Sequence, residues 1–346
     1  MKQSSFSKII GLGLMASVGC AQAGAFFGAG ASFPKAAYQA WGKAYEARSQ
    51  NKMIYTAVGS GKGLAEIVAA RTDFGASDKP FSKAELDQNN LMQFPSLIGG
   101  VVPVINIKGI TSDQLQLDGT TLAAIFLGKI TRWNDASITA LNPTLSLPSE
   151  TINVIYRGDK SGATFNFSNY LSKVSLDWKA TLGEGFSLAW KTGTGAENAS
   201  ALAQKVASTP NAIAYMDFAD LGKNKLHAVK LRNSSGLFVK AEVASFAAAA
   251  SAAKWSAAND FNEVLTNQAG EKSWPITTAT FIVIEREPKV PENVAATLQF
   301  FDWAYRDGDA IAVDLGYVPL PDSVADLVRS AWKTDIKNRA GQALFQ

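Results

Sequence analysis

Arg157 and Asp159 stand two positions apart in the stretch YRGDKSGATFNF, and Ser161-Gly162 and an aromatic segment with a helical pattern follow at once. The start of a helix is suited to binding an oxyanion, because its free main-chain N–H groups carry partial positive charge. An arginine beside it adds a full positive charge. Two other interpretations fit the stretch alone. A solvated ion pair on a surface turn contributes little to stability, and Arg157-Gly158-Asp159 matches a cell-attachment tripeptide that chance often produces. The choice between them depends on the rest of the chain.

Three further stretches share one local pattern, in which a β-like run leads through a turn with glycine and a hydroxyl or acid into a helix. They are GAGASFP (28–34), VGSGKG (58–63) and GASD (75–78). Glycines let the main chain turn tightly and approach a ligand, and helix starts present free N–H donors. A helix cap is the ordinary interpretation of Ser32, Ser60 or Ser161 taken singly. Several such turns beside one arginine together indicate an anion site.

The stretch VGSGKG contains Gly-Ser-Gly-Lys, which is part of the phosphate loop of nucleotide-binding proteins. That loop needs a glycine five residues before Gly61 and a serine or threonine after Lys62, whereas the chain has Thr56 and Gly63 at these positions. A nucleotide-hydrolysing protein is therefore excluded.

An enzyme is the alternative to a protein that only binds an anion. It would be a secreted phosphoester hydrolase that acts through Ser32, Ser60 or Ser161. A nucleophilic serine needs a positioned base or a metal ion. His227 is the single histidine and falls in an ordinary strand or loop pattern, and the sequence offers no cluster of metal ligands. We therefore expect no enzyme, no cofactor and no metal site.

The first residues have the form of a cleaved secretory signal. Lys2 and Lys8 precede an apolar run at 9–18, and the small residues Ala21 and Ala23 mark a cleavage site, so residues 1–23 are predicted to be removed. The apolar run is too short to span a bilayer. The sequence thus predicts an exported soluble protein.

Cys20 is the one cysteine of the sequence, and SVGC at 17–20 loosely resembles a lipid-attachment site. Ser17 stands where a leucine is expected, which favours cleavage after Ala23 instead. Removal of 23 of the 346 residues leaves 323 residues without cysteine. Stability must then come from hydrophobic cores, and this length is enough for two domains.

The overall charge indicates neither nucleic acid nor an anionic membrane as a partner. The formal net charge is +3, and loss of Lys2 and Lys8 with the signal lowers it to +1. Charge must therefore act locally in this protein.

Short β-like runs alternate with helical patterns, which predicts an α/β fold with a parallel sheet wrapped by helices. One helical face is formed by Tyr38, Trp41 and Tyr45, and another by Leu64, Ile67 and Val68. The alanine-rich stretch FAAAASAAKWSAAND, which starts at position 246, predicts a helix. The eight scattered tryptophans are predicted to lie in cores or interfaces. The predicted strands include 53–58, 74–76, 152–156 and 212–216.

Two β-like runs are placed to cross between domains. The first, IGGVVPVINI at 98–107, is interrupted by Pro103, which a central strand tolerates poorly. The second is TTATFIVI at 277–284. We expect a discontinuous first domain of residues 24–102 and 281–346, including helices around 298–305 and 324–332, and a second domain of residues 103–280. Two crossovers would allow hinge closure around a ligand.

These motifs, taken in order with LDGTTLAAIFLGKITRWND, resemble the periplasmic phosphate-binding proteins of the bacterial high-affinity phosphate (Pst) ABC transporters over essentially the whole chain after the signal. The resemblance implies a type II-like periplasmic binding protein, with two α/β domains that are joined by two crossover strands and close on one phosphate. It implies a monomer in the periplasm that captures inorganic phosphate, as hydrogen phosphate or dihydrogen phosphate, and delivers it to an inner-membrane ABC permease. An extracellular phosphate scavenger or adhesin would keep the same site.

The resemblance also carries over the ligand positions, and Asp159 matches the carboxylate that pairs with the arginine. Such a carboxylate offsets the arginine's charge while the cleft is empty. The implied phosphate ligands are Ser32, Phe33, Ser60, Asp78, Arg157, Ser161, Gly162 and Ala163.

Three positions depart from the family pattern. Ala163 replaces a threonine, so only its main-chain N–H remains, and the hydroxyl of Thr164 is shifted by one position. Lys160 replaces a common glycine, and Lys62 adds a charge near Ser60.

Asp78 is expected to select phosphate over sulfate. Phosphate at neutral pH keeps a proton that a carboxylate can accept in a hydrogen bond, and sulfate has none. Because an unpaired buried charge costs roughly 3 to 5 kcal/mol, ionised Asp78 predicts roughly a hundredfold or greater preference for phosphate.

Overall fold

The structure is a computed structural model that describes residues 24–224 and 226–346. The predicted signal peptide and Cys20 lie outside these residues. Within them no helix is long and apolar enough to cross a membrane.

The strands form one large curled sheet and one small sheet. Neighbouring strands of the large sheet follow the order β2-β1-β3-β12-β4-β8-β6-β7, with β9 also paired to β4, and the small sheet has the order β11-β10-β5. The strands are β1 (Ala25–Gly30), β2 (Lys52–Ala57), β3 (Phe74–Ser77), β4 (Leu91–Asn106), β5 (Gln116–Leu117), β6 (Asn153–Arg157), β7 (Thr194–Ala196), β8 (Ala212–Asp217), β9 (His227–Ala228), β10 (Lys230–Arg232), β11 (Phe238–Val239) and β12 (Thr277–Glu285).

Helices cover the sheet and account for most of the remaining regular structure. They are α1 (Lys35–Ser49), α2 (Ser60–Val68), α3 (Lys83–Asn89), α4 (Gly119–Phe126), α5 (Ala136–Thr139), α6 (Gly162–Val174), α7 (Leu176–Thr181), α8 (Ala199–Ser208), α9 (Leu221–Asn224), α10 (Val243–Ala250), α11 (Pro291–Asp307), α12 (Asp309–Asp314) and α13 (Asp322–Asp335).

The large sheet is parallel at its two sides and antiparallel in its middle. β1 pairs in parallel with β2 and β3, and β6 pairs in parallel with β7 and β8. The long strands β4 and β12 run antiparallel between these two sides. The parallel βαβ pattern predicted from the sequence is therefore present at both sides, with the two predicted crossover runs between them.

Pro103 lies inside the central strand β4, which starts at Leu91, seven residues before the predicted run. Its neighbour on one side is Tyr215 of β8, and its carbonyl accepts a hydrogen bond from Val229 N–H at 3.0 Å on the other side. The N and C=O of a strand residue face the same side, so the missing N–H faces β9, whose pairing begins at Val104. The expectation that Pro103 disfavours a central strand is wrong for this local reason.

Two separate hydrophobic cores lie at the two sides of the sheet. The first core is built around Phe26, Tyr38, Trp41, Phe74, Phe94, Phe301 and Trp332. The second core is built around Val104, Phe126, Phe167, Trp178, Tyr215 and Trp274. Ala250, Phe261 and Leu265, which the predicted division put in the second domain, pack in the first core. The two cores support the proposed two-domain division, with this segment reassigned to the first.

The helical faces predicted from the sequence are largely buried. Tyr38, Trp41 and Tyr45 are buried on α1, as predicted. On α2, Leu64 and Ile67 are buried, but Val68 is 47% exposed, so its assignment to the buried face is wrong.

The alanine-rich stretch is α-helical only at its start, because α10 ends at Ala250, and a single 3-10 turn follows at Ala257–Asn259. Asp260 and Phe261 then adopt left-handed main-chain conformations, with φ of 54° and 53°. These turns place Phe261 in the first core, and Trp255 lies 6.2 Å from Phe281 between ring centroids. Burial of these aromatic rings overrides the helix propensity of the alanines, so the prediction of one long helix is wrong.

Candidate functional site

The site lies where the carboxyl ends of the parallel strands on the two sides of the sheet face each other. Arg157 ends β6 on the side of the second core, and Ser77 ends β3 on the side of the first. Ligands in open α/β sheets bind outside such strand ends. The turns after β1, β3 and β6 contain the candidate residues.

Arg157 is a buried cation held by a two-pronged ion pair. Its side chain is 3% exposed, its Nε donates to Asp159 Oδ1 at 2.6 Å, and its Nη2 donates to Asp159 Oδ2 at 2.7 Å. The remaining nitrogen, Nη1, reaches Ser32 Oγ at 3.5 Å across the cleft. Asp159 therefore orients the guanidinium so that Nη1 points at the opposite side of the site.

Asp78 is a buried carboxyl group directly after β3. Its Oδ1 accepts a hydrogen bond from Thr280 Oγ1 at 2.6 Å, and its Oδ2 accepts one from Ser60 Oγ at 3.4 Å. Ser60 Oγ also accepts a hydrogen bond from the main-chain N–H of Asp78 at 3.1 Å. Ser60 is the first residue of α2, and the residue that precedes the helix is Gly59. The Ser60 side chain therefore binds Asp78 and does not cap the helix.

Burial raises the pKa of Asp78 to about 7, because a charged carboxylate loses its hydration there. The hydrogen bonds from Thr280 and Ser60 and the charge of Arg157 oppose this rise. The carboxyl group can therefore gain or lose a proton close to neutral pH.

Ser161 caps α6, and its oxygen accepts a hydrogen bond from Thr164 N–H at 3.4 Å. Gly162 and Ala163 form the first turn of this helix and are buried. The shifted hydroxyl of Thr164 shares a hydrogen bond of 2.7 Å with the Tyr215 hydroxyl, so it belongs to the second core. The N-terminal turn of α6 supplies main-chain donors to the site.

Ser32 and Phe33 lie in the turn between β1 and α1. The Ser32 side chain makes no capping bond to α1. Phe33 is buried, and its carbonyl accepts a hydrogen bond from the Tyr317 hydroxyl at 2.6 Å. This contact fixes the turn, so that the Ser32 hydroxyl faces Arg157.

Direct contacts join the two sides around these residues. Asn166 Nδ2 on α6 donates to the carbonyl of Asp78 at 2.8 Å, and Gly61 N–H donates to the carbonyl of Lys160 at 3.2 Å. The Lys79 ammonium lies 5.7 Å from the ring centre of Phe165 and 5.5 Å from that of Phe186. The two sides are therefore closed on each other. Lys160, one of the three positions that depart from the family pattern, contributes its main-chain carbonyl to this closure.

A cleft of about 590 Å³ opens beside the site. It is lined from the first side by Ser32, Phe33 and Lys35, and from the second by Asn198 and Asp220. Such a cleft is a path by which a small anion can reach Ser32.

The sequence predictions missed three residues at or next to the site. Thr280 was read only as part of a crossover strand, although its hydroxyl binds Asp78. Asn166 was read only as part of a helix. Asp217 is the last residue of β8, and Asp78 directly follows β3, so an acidic residue at the end of a strand is the available signal for both.

His227 lies in β9, where it is paired with Ile105 of β4. In residues 24–224 and 226–346, no group of three or more metal-ligating side chains is positioned to hold a metal ion.

The chain is similar to proteins named phosphate-binding protein PstS. It is 47% identical to that of Haemophilus influenzae over 317 residues, which cover 92% of this chain and 95% of the relative. It is 44% identical to that of Pasteurella multocida over 325 residues, which cover 94% of each chain. A family model described as a PBP superfamily domain matches residues 18–307. The structure is similar to that of a phosphate-binding protein from Stenotrophomonas maltophilia, with a TM-score of 0.69, 22% identity, and coverage of 93% of this chain and 98% of that one.

Proposed function

The chain belongs to the PstS family of phosphate-binding proteins, and we propose that it captures inorganic phosphate in the periplasm and delivers it to an inner-membrane ABC permease. It is a phosphate-binding substrate-binding protein of an ABC transporter, with the α/β fold of a two-domain periplasmic binding protein. Its relatives are named as binding proteins and not as enzymes.

The buried, oriented guanidinium of Arg157 is the observation that supports a phosphate site best. Burying a cation is costly unless it is paired. Asp159 supplies the pairing on one edge, and the remaining edge faces Ser32. A bound phosphate would accept hydrogen bonds from this edge and from the first turn of α6.

We propose that closure of the two sides completes the ligand set. Ser32, Phe33, Ser60 and Asp78 lie on the first side, and the ligands from Arg157 to Ala163 lie on the second. Neither side alone surrounds an anion, so phosphate would bridge them and favour the closed state by its stronger binding to that state. Opening by the permease would then release phosphate, and one copy of the chain is sufficient for this cycle.

Calorimetric titration of residues 24–346 with phosphate tests the function directly. We expect one phosphate per chain, competition by arsenate, and no hydrolysis of a chromogenic phosphate ester. Turnover of the ester would support a hydrolase instead. If neither phosphate nor arsenate gave a heat of binding, the proposal would be contradicted.

Gly162→Ala is expected to weaken phosphate binding roughly 5- to 150-fold. A Cβ atom at Gly162 would lie 2.3 Å from Asp78 Oδ2 and 2.4 Å from Ser60 Oγ, so the two sides could not close fully. Overpacking of this kind typically costs about 1 to 3 kcal/mol. The substitution keeps the main-chain N–H, so a loss reports incomplete closure around Asp78 and Ser60 or displacement of these two side chains.

Gly222→Ala is the matched control, because a Cβ atom there meets nothing within 4 Å. We expect this variant to bind phosphate as the parent does. Parent-like affinity of Gly162→Ala, measured by the same calorimetry, would count against closure at Asp78 and Ser60.

A further inference from the structure

Asp217 is a buried carboxyl group at the carboxyl end of β8. It pairs with Val101 of β4, at the middle of the large sheet, and only 3% of it is exposed. Within the described part of the chain, its Oδ1 has no hydrogen-bond partner. Buried polar atoms are satisfied in most proteins, so an unsatisfied carboxyl oxygen at the carboxyl end of a strand calls for a functional explanation.

Charged and titratable groups of both sides interact electrostatically with Asp217. They are Asp78 after β3, Arg157 at the end of β6, Asp159 in the following turn, Asp220 after β8, and Tyr317 after α12. Arg157 is the cation of this set, and Asp159 already forms a two-pronged pair with it. An ionised Asp217 would therefore add a negative charge to a set that, among the described residues, already holds more carboxyl groups than cations.

Burial is the main reason that the pKa of Asp217 lies well above its usual range. The negative charges of Asp78 and Asp220 raise it further, and Arg157 opposes the rise. A neutral carboxyl group adds no repulsion to an incoming anion and offers an O–H donor.

We propose that Asp217 is a further residue of the anion site, a carboxyl group that must hold its proton for phosphate to bind tightly. This inference rests on the proposed function. It assigns the site a second acidic group in addition to Asp78. Asp78 comes from the first side of the sheet, and Asp217 comes from the second. Capture of phosphate is thereby coupled to retention of one proton by the protein.

The sign of this coupling follows from charge. In the empty protein Asp217 loses its proton when the pH rises past its own pKa. A bound anion repels the ionised form and raises that pKa, so between the two values binding takes up a proton. In that interval phosphate affinity falls by up to about tenfold for each pH unit, beyond the effect of phosphate's own titration.

Asp217→Asn tests the proposal, because asparagine keeps the shape and cannot ionise. Phosphate is titrated by calorimetry from neutral to alkaline pH, in pairs of buffers with different ionisation enthalpies, so that affinity and proton uptake are both measured. We expect the affinity of the variant to fall less steeply with pH than that of the parent, by up to about tenfold per pH unit, with up to one proton fewer taken up. The titration of phosphate is common to both proteins and does not affect this difference.

Two further variants separate titration from a structural role. Asp217→Glu keeps an ionisable group and should restore the steep pH dependence. Asp87→Asn removes an exposed carboxylate on α3, away from Asp217, and should keep the pH profile of the parent. If thermal melting shows that Asp217→Asn is too unstable to titrate, Asp217→Ser takes its place.

The outcomes are distinct from those that test the proposed function. A parent that does not bind phosphate at any pH contradicts the function itself. A parent that binds phosphate, with the same pH slope and proton uptake in Asp217→Asn, overturns the role of Asp217 and leaves phosphate binding in place.

Discussion

Arg157→Ala is expected to weaken phosphate binding roughly thirtyfold to several thousandfold, the largest loss of any single substitution in the site. Removal of one partner of a buried, hydrogen-bonded charge pair costs about 2 to 5 kcal/mol in binding, and about 1.4 kcal/mol corresponds to a factor of ten. The variant loses the cation that compensates the anion and leaves Asp159 without its partner. Calorimetry with phosphate measures the loss.

Asp159→Ala is expected to cost less than Arg157→Ala. Asp159 is 22% exposed, so its removal opens the guanidinium to water, and a bound phosphate can still pair with the free arginine. Arg71→Ala provides the control, because it breaks an exposed pair of Arg71 with Glu66 at 2.6 Å. Equal losses in the two site variants, or a comparable loss in Arg71→Ala, would contradict the assigned roles.

Elements that depend on a local pattern could be predicted from the sequence. The helical face of Tyr38, Trp41 and Tyr45 follows from a spacing of three and four residues. The strands at the parallel sides of the sheet follow from short apolar runs that end in glycine-rich turns. In these segments local propensity and burial favour the same structure.

Elements that depend on distant contacts could not be predicted. The first part of β4 contains Gln93 and Pro95, which do not fit a strand pattern. Gln93 is buried there because its amide exchanges hydrogen bonds with both main-chain groups of Phe81, at 2.8 and 2.9 Å. Pairing with β12 is irregular opposite Pro95, where the register shifts at Thr280. Such compensation has no signature in the local sequence.

The candidate site shows the same division. The resemblance supplied the ligand positions, and the structure brings them together from both sides of the sheet. The sequence could not tell which serines cap helices: Ser161 does, whereas Ser60 and Ser32 face Asp78 and Arg157. That distinction depends on which turn lies opposite, and therefore on closure.

Asp78 is expected to discriminate against sulfate in a manner that depends on pH. Because its pKa lies at about 7, the group is partly protonated at neutral pH before any anion binds. Sulfate brings no proton, so it binds the form in which Asp78 is itself protonated. That form is lost as the pH rises through about 7, and sulfate affinity should fall about tenfold for each further pH unit.

The preference for phosphate should therefore grow with pH. Phosphate carries its own proton to ionised Asp78, whereas sulfate at alkaline pH meets an unpaired buried charge. The roughly hundredfold preference expected from the cost of that charge is then reached about two pH units above the pKa. At neutral pH and below, the two anions should differ less.

Asp78→Asn should remove this dependence, because the amide cannot ionise and can donate as well as accept. Thr280 can still donate to the amide oxygen, so the side chain keeps its position. We expect sulfate affinity in the variant to fall less steeply from neutral to alkaline pH than in the parent, with the contribution of Asp217 remaining, and the ratio of phosphate to sulfate affinity at alkaline pH to fall by roughly a hundredfold. Competition titrations of the two anions on parent and variant measure this ratio. Asp87→Asn, on the exposed face of α3, controls for the loss of a charge. The amide abolishes repulsion by an ionised group at position 78, while the donors of Arg157 and α6 remain. If sulfate affinity falls with pH equally steeply in the parent and in Asp78→Asn, the selectivity therefore arises elsewhere.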